Sequence, residues 1–455
     1  MNTSKKTYIE TFGCQMNERD SEIMGQILAN IDYSPTEDIK QADVIVINTC
    51  SIRDKAEQKV YSLLGRLKKL KEKKPSLIIS VAGCVAQQEG ERLQARMPQV
   101  DIVIGPQEIY KLPELVSKAT QRNKPQLAVD LSPNFKIPRY SPPSPARTSN
   151  KNKKKGATPA FKKFVTIMQG CNNFCTYCVV PYTRGRETSR SPEDIIAEIS
   201  NLAQQGVAEV TLLGQNVNSY GRVTDGSLQY LPFPELLKQV AAVDGIKRVR
   251  FTTSHPKDLS PELIECFATI ENLCPHFHLP VQSGSNRILK KMNRKYTIEQ
   301  YLERVEALQQ VRPDIALTTD IIVGFPGEDD EDFQASLQLL DTVRYHGAYS
   351  FKYSDRPQAK AVSFDNKIDE AIKSERLKIL QDKQNNICLQ RNREYEGSVQ
   401  RVMAEGESKN GDGQWSGRTM SNIIVNFDGP GLTPGQEVHV KITEGLLHSL
   451  RGKLI

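Results

Sequence analysis

TYIETFGC (7–14), DVIVINTC (43–50) and SLIISVAGC (76–84) share one form, a short strand-like run rich in aliphatic and β-branched residues and closed by a cysteine. Each is followed by a helical pattern, over about 20–29, 53–71 and 87–96, and VDIVIG (100–105) leads to another over 109–118. Strand-then-helix repetition predicts a parallel sheet covered by helices. Cys14, Cys50 and Cys84 lie 36 and 34 residues apart, which is the period of a βαβ unit. In a parallel sheet every strand ends on the same edge, where crevices hold ligands. Three thiols distant in sequence can therefore converge there on one metal site. Unrelated buried cysteines are the alternative.

Outward from this region, residues 132–160 change character to proline, serine and lysine, which reads as an extended linker, either a plain tether or an RNA contact. Six further strand patterns follow: KFVTIMQG (163–170), EVTLLGQN (209–216), RVRFTTS (248–254), HFHLPVQS (276–283), ALTTDIIVGF (316–325) and AYSFKYS (348–354). Most lead through a turn into a helical pattern. Six units are too few for a closed eight-fold barrel, so an open, partial (β/α)6 barrel is expected. A helix over about 366–395 precedes the short strands GSVQRVMAEG (397–406), QWSGRTMSN (414–422), IIVNF (423–427) and EVHVKITEG (437–445), the pattern of a small β-barrel. The expected organisation is an α/β multidomain chain: 1–131, an α/β domain; 132–160, the linker; 161–387, the partial barrel; 388–455, the small β-barrel.

Of 455 residues, 38% are hydrophobic and 25% charged, enough apolar material for real cores. No apolar run approaches the roughly 20 residues that span a bilayer, and the start lacks the apolar stretch of a secretion signal. A soluble cytoplasmic protein, with no membrane partner, is expected. Nine cysteines in such a chain suit metal or redox chemistry better than a disulfide framework. The net charge of +7 comes from one belt: 136–186 holds eleven Lys or Arg and no Asp or Glu. Belts of this kind more often meet phosphate backbones than small substrates.

The sharpest local motif is CNNFCTYC (171–178), a CxxxCxxC array after a strand. Structural zinc usually takes four ligands, commonly from CxxC pairs. Three thiolates from one loop, Cys171, Cys175 and Cys178, would leave one iron of a four-iron cluster open to a small molecule's amine and carboxylate. Structural zinc and inert thiols are the competing readings.

The array, with Tyr177 before its last cysteine, resembles the radical S-adenosylmethionine (SAM) superfamily. Taken with TFGCQMN, NTCSIRDKAEQKV, VAGCVAQQ, QGCNNFCTYCVVPYTRGRE, LLGQNVNSYG, FTTSHP, HLPVQSGS, DIIVGFPGE and GRTMSNIIVNF, it resembles the radical SAM methylthiotransferases over essentially the whole chain. The resemblance implies an N-terminal methylthiotransferase domain, a radical SAM barrel and a terminal RNA-binding TRAM domain. It implies two 4Fe-4S clusters, one on Cys171, Cys175 and Cys178 that reduces SAM to a 5′-deoxyadenosyl radical, and one on Cys14, Cys50 and Cys84 that supplies or carries sulfur. SerIleArg at 51–53 and the following DKAEQKV look like the subgroup that modifies carbon 2 of isopentenyl-adenosine beside the tRNA anticodon. Related enzymes act on threonylcarbamoyl-adenosine or on a ribosomal protein side chain, and these remain the alternative targets. A zinc-stabilised, non-catalytic RNA-binding protein is the rival of another class. The implied partners are the anticodon stem-loop, SAM and an external electron donor such as flavodoxin or ferredoxin; a monomer is expected. The 132–160 linker looks longer than the family usually carries.

Tyr177 is expected near the adenine of SAM, or as a packing aromatic. Asn216 and Gln282 end the second and fourth barrel strands, where such barrels bind ligands, and are candidate SAM contacts or loop caps. Gly324 to Gly327 reads as a turn beside the adenosine pocket or as plain turn chemistry. Arg184, Arg186 and Arg190 are expected near the active-site mouth, holding tRNA phosphate or SAM carboxylate, or as solvated charge. His276 and His278 read as interior hydrogen-bonding residues, and Cys266, Cys274 and Cys388 as buried or inert. The terminal segment from 388 carries eight basic and eight acidic residues, so any grip on tRNA needs a local face. Arg418 and Trp415 are candidates for it, with barrel packing equally open for Trp415.

Overall fold

A computed structural model describes residues 5–51, 54–122, 124–139, 161–222, 228–408, 413–429 and 431–455, without the side chains of 54–57 and 122. The linker expected over 132–160 lies outside the described residues from 140 onward, as do Ile52 and Arg53. The chain divides into two compact units. One comprises 1–157, 166–172 and 179–194; the other comprises 158–165, 173–178 and 195–455.

The first unit is built on β1 (Lys5–Thr11), α1 (Gln15–Ala29), β2 (Tyr33–Pro35), β3 (Val44–Thr49), α2 (Asp54–Lys73), β4 (Ile78–Gly83), α3 (Cys84–Glu89), α4 (Glu91–Arg96), β5 (Ile102–Ile104), α5 (Leu112–Arg122) and β6 (Gln126–Ala128). Its six strands form one parallel sheet in the order β2-β1-β3-β4-β5-β6. β3 shows why the pattern works. Val44 and Val46 face one core with Met24 and Leu28 of α1 and Val116 of α5. Ile45 and Ile47 face the other, with Leu64 and Leu67 of α2. Each such side chain contributes roughly 1.5–3 kcal/mol by leaving water, and the two-residue alternation pins the register. The edge strands β2 and β6, three residues each, carry too little pattern to be read from the sequence.

Beyond the linker come β7 (Lys162–Thr166), the paired short strands β8 (Met168–Gln169) and β9 (Thr188–Ser189) with α6 (Val180–Thr183) between them, and α7 (Pro192–Gln204). The series continues with β10 (Glu209–Leu213), α8 (Phe233–Ala241), β11 (Arg248–Thr252), α9 (Pro261–Thr269), β12 (His276–His278), α10 (Asn286–Lys291), α11 (Ile298–Val311), β13 (Ala316–Val323), α12 (Asp330–Val343), β14 (Gly347–Lys352) and α13 (Glu370–Arg393). The strands of the second unit form two three-stranded sheets, β11-β10-β7 and β12-β13-β14, linked by a parallel bridge between Val249 and Leu273. Six strands in sequence order, with helices in the connections, make the expected partial barrel. Capping boxes at Thr297 and Asp329 start α11 and α12. Phe251 packs edge-on to Phe233 at 5.1 Å and to Phe277 at 5.4 Å.

β15 (Val399–Glu407), β16 (Gln414–Thr419), β17 (Ile424–Asp428), β18 (Glu437–Gly445) and β19 (Leu450–Leu454) close a barrel in the order β15-β16-β17-β19-β18. The sequence pattern shows four of these strands. The fifth, LRGKL, buries only Leu450, so it lacks an alternating apolar face, yet it closes the barrel by pairing with both β17 and β18. Within this unit the barrel is fastened to β11 through backbone oxygens. Arg248 donates to the carbonyls of Arg418 and Arg401 at 2.9 and 3.3 Å, and Arg250 to those of Met420 and Thr419 at 2.9 and 3.0 Å. Among the described residues no helix is long and apolar enough to cross a membrane.

Candidate metal centres

β1, β3 and β4 are neighbours, with Thr11 opposite Asn48 and Thr49 opposite Gly83. Their carboxyl ends are therefore level, and Cys14, Cys50 and Cys84 follow those ends directly. Cys14 is exposed, whereas Cys50 and Cys84 are buried. Two glycines allow the close approach. A Cβ on Gly13, at φ +152°, would lie 2.6 Å from Cys50 Cβ; one on Gly83, at φ +93°, would lie 2.4 Å from the Thr49 oxygen. Both positions also need positive φ, which a side chain disfavours. Asn17 ties the ends together. Its Oδ1 accepts from the Cys14 thiol at 3.2 Å, and its Nδ2 donates to Asn48 Oδ1 and to the Thr49 carbonyl, both at 3.0 Å.

The hydrogen bond with Cys50, helped by the charge of Arg184, lowers the Cys14 thiol to about 6. Burial pushes Cys84 the other way, with Arg184 opposing it. Arg184 is itself buried and ion-paired to Asp20 at 2.7 Å. The thiols are gathered rather than arranged as a finished ligand set: among the described residues no three Cys, His, Asp or Glu side chains stand in metal-holding geometry. Three thiols, with a buried cation in range of Cys14 and Cys84, are nonetheless a donor set that suits an anionic thiolate-bound centre.

The second array falls in both units. In the first, the Cys171 N–H donates to the Gly185 carbonyl at 3.1 Å and the Asn172 N–H to Glu187 Oε1 at 3.1 Å. In the second, Cys175 is buried and its carbonyl accepts from the Cys178 N–H at 2.9 Å. The segment that closes α10 cradles this turn. Met292 O accepts from the Thr176 N–H at 3.1 Å, and Asn293 Nδ2 donates to the carbonyls of Asn173 and Phe174 at 3.2 and 3.0 Å. Arg294 donates from Nη2 to the Pro280 carbonyl at 2.6 Å and from Nε to the Tyr296 hydroxyl at 3.2 Å, while its Nη1 faces Cys175 and Tyr177. Tyr177 packs against a core of Ile288, Met292, Phe325 and Tyr353, and burial pushes its phenol up.

Asn216 is buried, with Nδ2 donating to Asp258 at 2.8 Å and Oδ1 accepting from the His255 N–H at 3.0 Å. Gln282 has φ +77°, and its backbone bridges to β13 by giving its N–H to Asp320 O and accepting from the Ile322 N–H. At the turn after β13, the Gly324 N–H donates to Glu328 Oε1 at 2.8 Å and Arg376 donates to the same oxygen at 2.8 Å.

Arg184 and Arg190 are not on the surface, as expected of phosphate-gripping residues, but 3% exposed each. The first pairs with Asp20 and the second donates to the Thr166 carbonyl at 2.8 Å; Arg186 is exposed. His278 Nδ1 lies 3.1 Å from the Thr318 hydroxyl, an interior hydrogen bond. Cys266, Cys274 and Cys388 are buried. Trp415 packs against the terminal barrel's core, and Arg418 pairs with Glu405 at 3.3 Å. The sequence reading missed Asp20, Gln107 and Arg294. Asp20 is one of four charged residues, with Glu18, Arg19 and Glu22, in the first turns of α1, and nothing local singles it out.

Residues 6–105 match the uncharacterized protein family UPF0004, 165–340 the radical SAM superfamily and 393–455 the TRAM domain. The chain is 52% identical over 451 residues to the tRNA-2-methylthio-N(6)-dimethylallyladenosine synthase of Desulfotalea psychrophila, covering 98% of each. It is 48% identical over 454 residues to the enzyme of that name from Geotalea uraniireducens, covering 100% of each. Among solved structures, the radical SAM methyltransferase TsrM from Kitasatospora setae, with tryptophan and a SAM analog bound, superposes with a TM-score of 0.55 at 13% identity. The superposition covers 76% of this chain and 73% of that one, a likeness of fold alone.

Proposed function

The chain belongs to the tRNA-2-methylthio-N(6)-dimethylallyladenosine synthases, and on that premise we propose how its own residues divide the work. It is a radical SAM transferase that adds a methylthio group to isopentenyl-adenosine in tRNA, rather than to threonylcarbamoyl-adenosine or a ribosomal protein side chain. It uses SAM and iron–sulfur chemistry. The observation that carries this reading is identity near one half along the full length of both chains.

The finer assignment is that two 4Fe-4S clusters are held, one by Cys171, Cys175 and Cys178 and one by Cys14, Cys50 and Cys84. When bound, these cofactors supply electrons to SAM and the sulfur that is transferred. The level ends of β1, β3 and β4 support the second site, because they bring three thiols to one edge. Tyr177 would face the adenine of SAM, and Asn216 and Gln282 would hold the walls of the SAM pocket, Asn216 through the loop it fastens with Asp258 and His255. Arg294 keeps Tyr177 and the Cys175 turn in place. The TRAM barrel would add a local RNA-facing surface. The functional domains would be 1–131, 161–387 and 388–455, joined by 132–160, in a cytoplasmic monomer served by a flavodoxin- or ferredoxin-type donor.

Anaerobic reconstitution of the full chain is the test. Wild-type protein should take up two clusters. C14A/C50A/C84A should keep roughly half the iron and cleave SAM without methylthiolating an isopentenylated anticodon stem-loop. Full iron uptake by that variant would refute the second site.

A further inference from the structure

Arg184 has a place that its expected role does not explain. It lies just beyond α6, the short helix that follows the CxxxCxxC motif, yet it is buried within range of Cys14 and Cys84 of the other triad. Its backbone is fixed there. The Arg184 carbonyl accepts from Gln107 Nε2 at 3.2 Å, and Gln107 Oε1 in turn accepts from the Ser132 N–H at 3.0 Å. The next residue, Gly185 at φ +82°, leaves no room for a side chain, because a Cβ there would lie 2.5 Å from Gln107 Nε2.

The guanidinium is partly satisfied. Nη2 donates to Asp20 Oδ2 at 2.7 Å. Nη1 is buried and makes no hydrogen bond of normal geometry. The thiols of Cys14 and Cys84 both lie within range of the cation. An unsatisfied buried N–H costs about 1–3 kcal/mol. Such a donor, on a buried cation within range of the Cys14 and Cys84 thiols, suits an anionic acceptor.

We propose that Arg184 is a positioning residue for the triad of Cys14, Cys50 and Cys84: it holds a fixed, buried positive charge within range of the Cys14 and Cys84 thiols, and so makes the centre held there easier to reduce. This rests on the reading that the triad holds an iron–sulfur cluster. Reduction adds an electron to that centre, and a nearby cation stabilises the added charge strongly where water is excluded. Asp20 has the opposite sign and partly cancels the effect, so the two residues push the potential in opposite directions.

The test uses the full chain as C171A/C175A/C178A, which leaves one triad. Redox titration followed by EPR reads the remaining centre. R184Q is expected to move its midpoint to more negative potential, and D20N, which keeps a hydrogen-bond partner for Nη2 while removing the carboxylate charge, to more positive potential. R184K, which keeps the charge without the planar fork, should fall between wild type and R184Q. Shifts of the same sign for R184Q and D20N, or no shift, would overturn the proposal and leave Arg184 a structural ion pair. If R184Q does not fold, D20N alone decides, since an unmoved or more negative midpoint is incompatible with the proposal. Absence of iron from the background protein would overturn the cluster reading and this inference with it, whereas iron with unmoved potentials overturns this inference alone.

Discussion

Arg294 reaches the Cys175 sulfur at 3.3 Å and the Tyr177 hydroxyl at 3.4 Å from one nitrogen, Nη1. The rest of its fork is taken by the Pro280 carbonyl and the Tyr296 hydroxyl. One planar group thus fixes the second cysteine of the motif and the aromatic residue beside it. R294Q is expected to lower reductive SAM cleavage at least tenfold, and R294K should not rescue it, because an ammonium cannot reproduce four contacts in one plane. Counting 5′-deoxyadenosine released under dithionite checks this; near-normal release by R294K would contradict it.

The glycines before Cys14 and Cys84 should be intolerant in a way that other positive-φ glycines are not. G83A adds a Cβ 2.4 Å from the Thr49 oxygen, on top of backbone strain of about 1–3 kcal/mol. At Gly206, also at positive φ, a Cβ meets nothing within 4 Å. G83A should lose both stability and about half of the reconstituted iron, and G206A only stability. Thermal unfolding and iron analysis of the two variants separate these outcomes.

The strand-and-helix rhythm, and with it the placement of Cys14, Cys50 and Cys84 at level strand ends, was legible because both are periodic in sequence. What was hidden depended on burial of charge. Arg184, Arg190 and Arg294 look like parts of a basic belt or a basic loop, and nothing local says that Asp20, a carbonyl or a tyrosine hydroxyl waits for them in the fold. β19 was hidden for the converse reason: Arg451 and Lys453 give it the look of a solvated tail, while its place in the barrel comes from backbone pairing with β18 just before it and with the more distant β17.

Glu209 is 3% exposed and lies 3.2 Å from Arg250 and 3.5 Å from Lys162. R250M would remove the nearer of this carboxylate's two cations, leaving Lys162, and release two carbonyl oxygens of the terminal barrel. Removing one partner of a buried pair typically costs about 3–5 kcal/mol. Denaturant unfolding should show a loss of that order, with earlier protease cleavage near 419–420 than in wild type.

The same carboxyl gives a pH dependence. Burial raises its pKa, but Arg250, Lys162 and Arg248 outweigh burial and hold it below the ordinary value. A depressed folded pKa means that the contribution is complete above the unfolded glutamate value of about 4.3 and is lost as pH falls through the folded value. E209Q should be less stable than wild type at pH 7, and the gap should narrow on acidification below about pH 4.3. Urea midpoints measured across that window test the sign; a gap that widens in acid would contradict it.

Arg248 and Arg250 hold the terminal barrel chiefly by its main chain, through four carbonyl oxygens of a kind that every amino acid possesses, with the Glu437 side chain also paired to Arg248, at 3.6 Å. Mutation at 401, 418, 419 or 420 therefore leaves the acceptors in place as long as the strands keep their path. The attachment is largely insulated from sequence drift on the attached side, so most of that domain's side chains can change without undocking it.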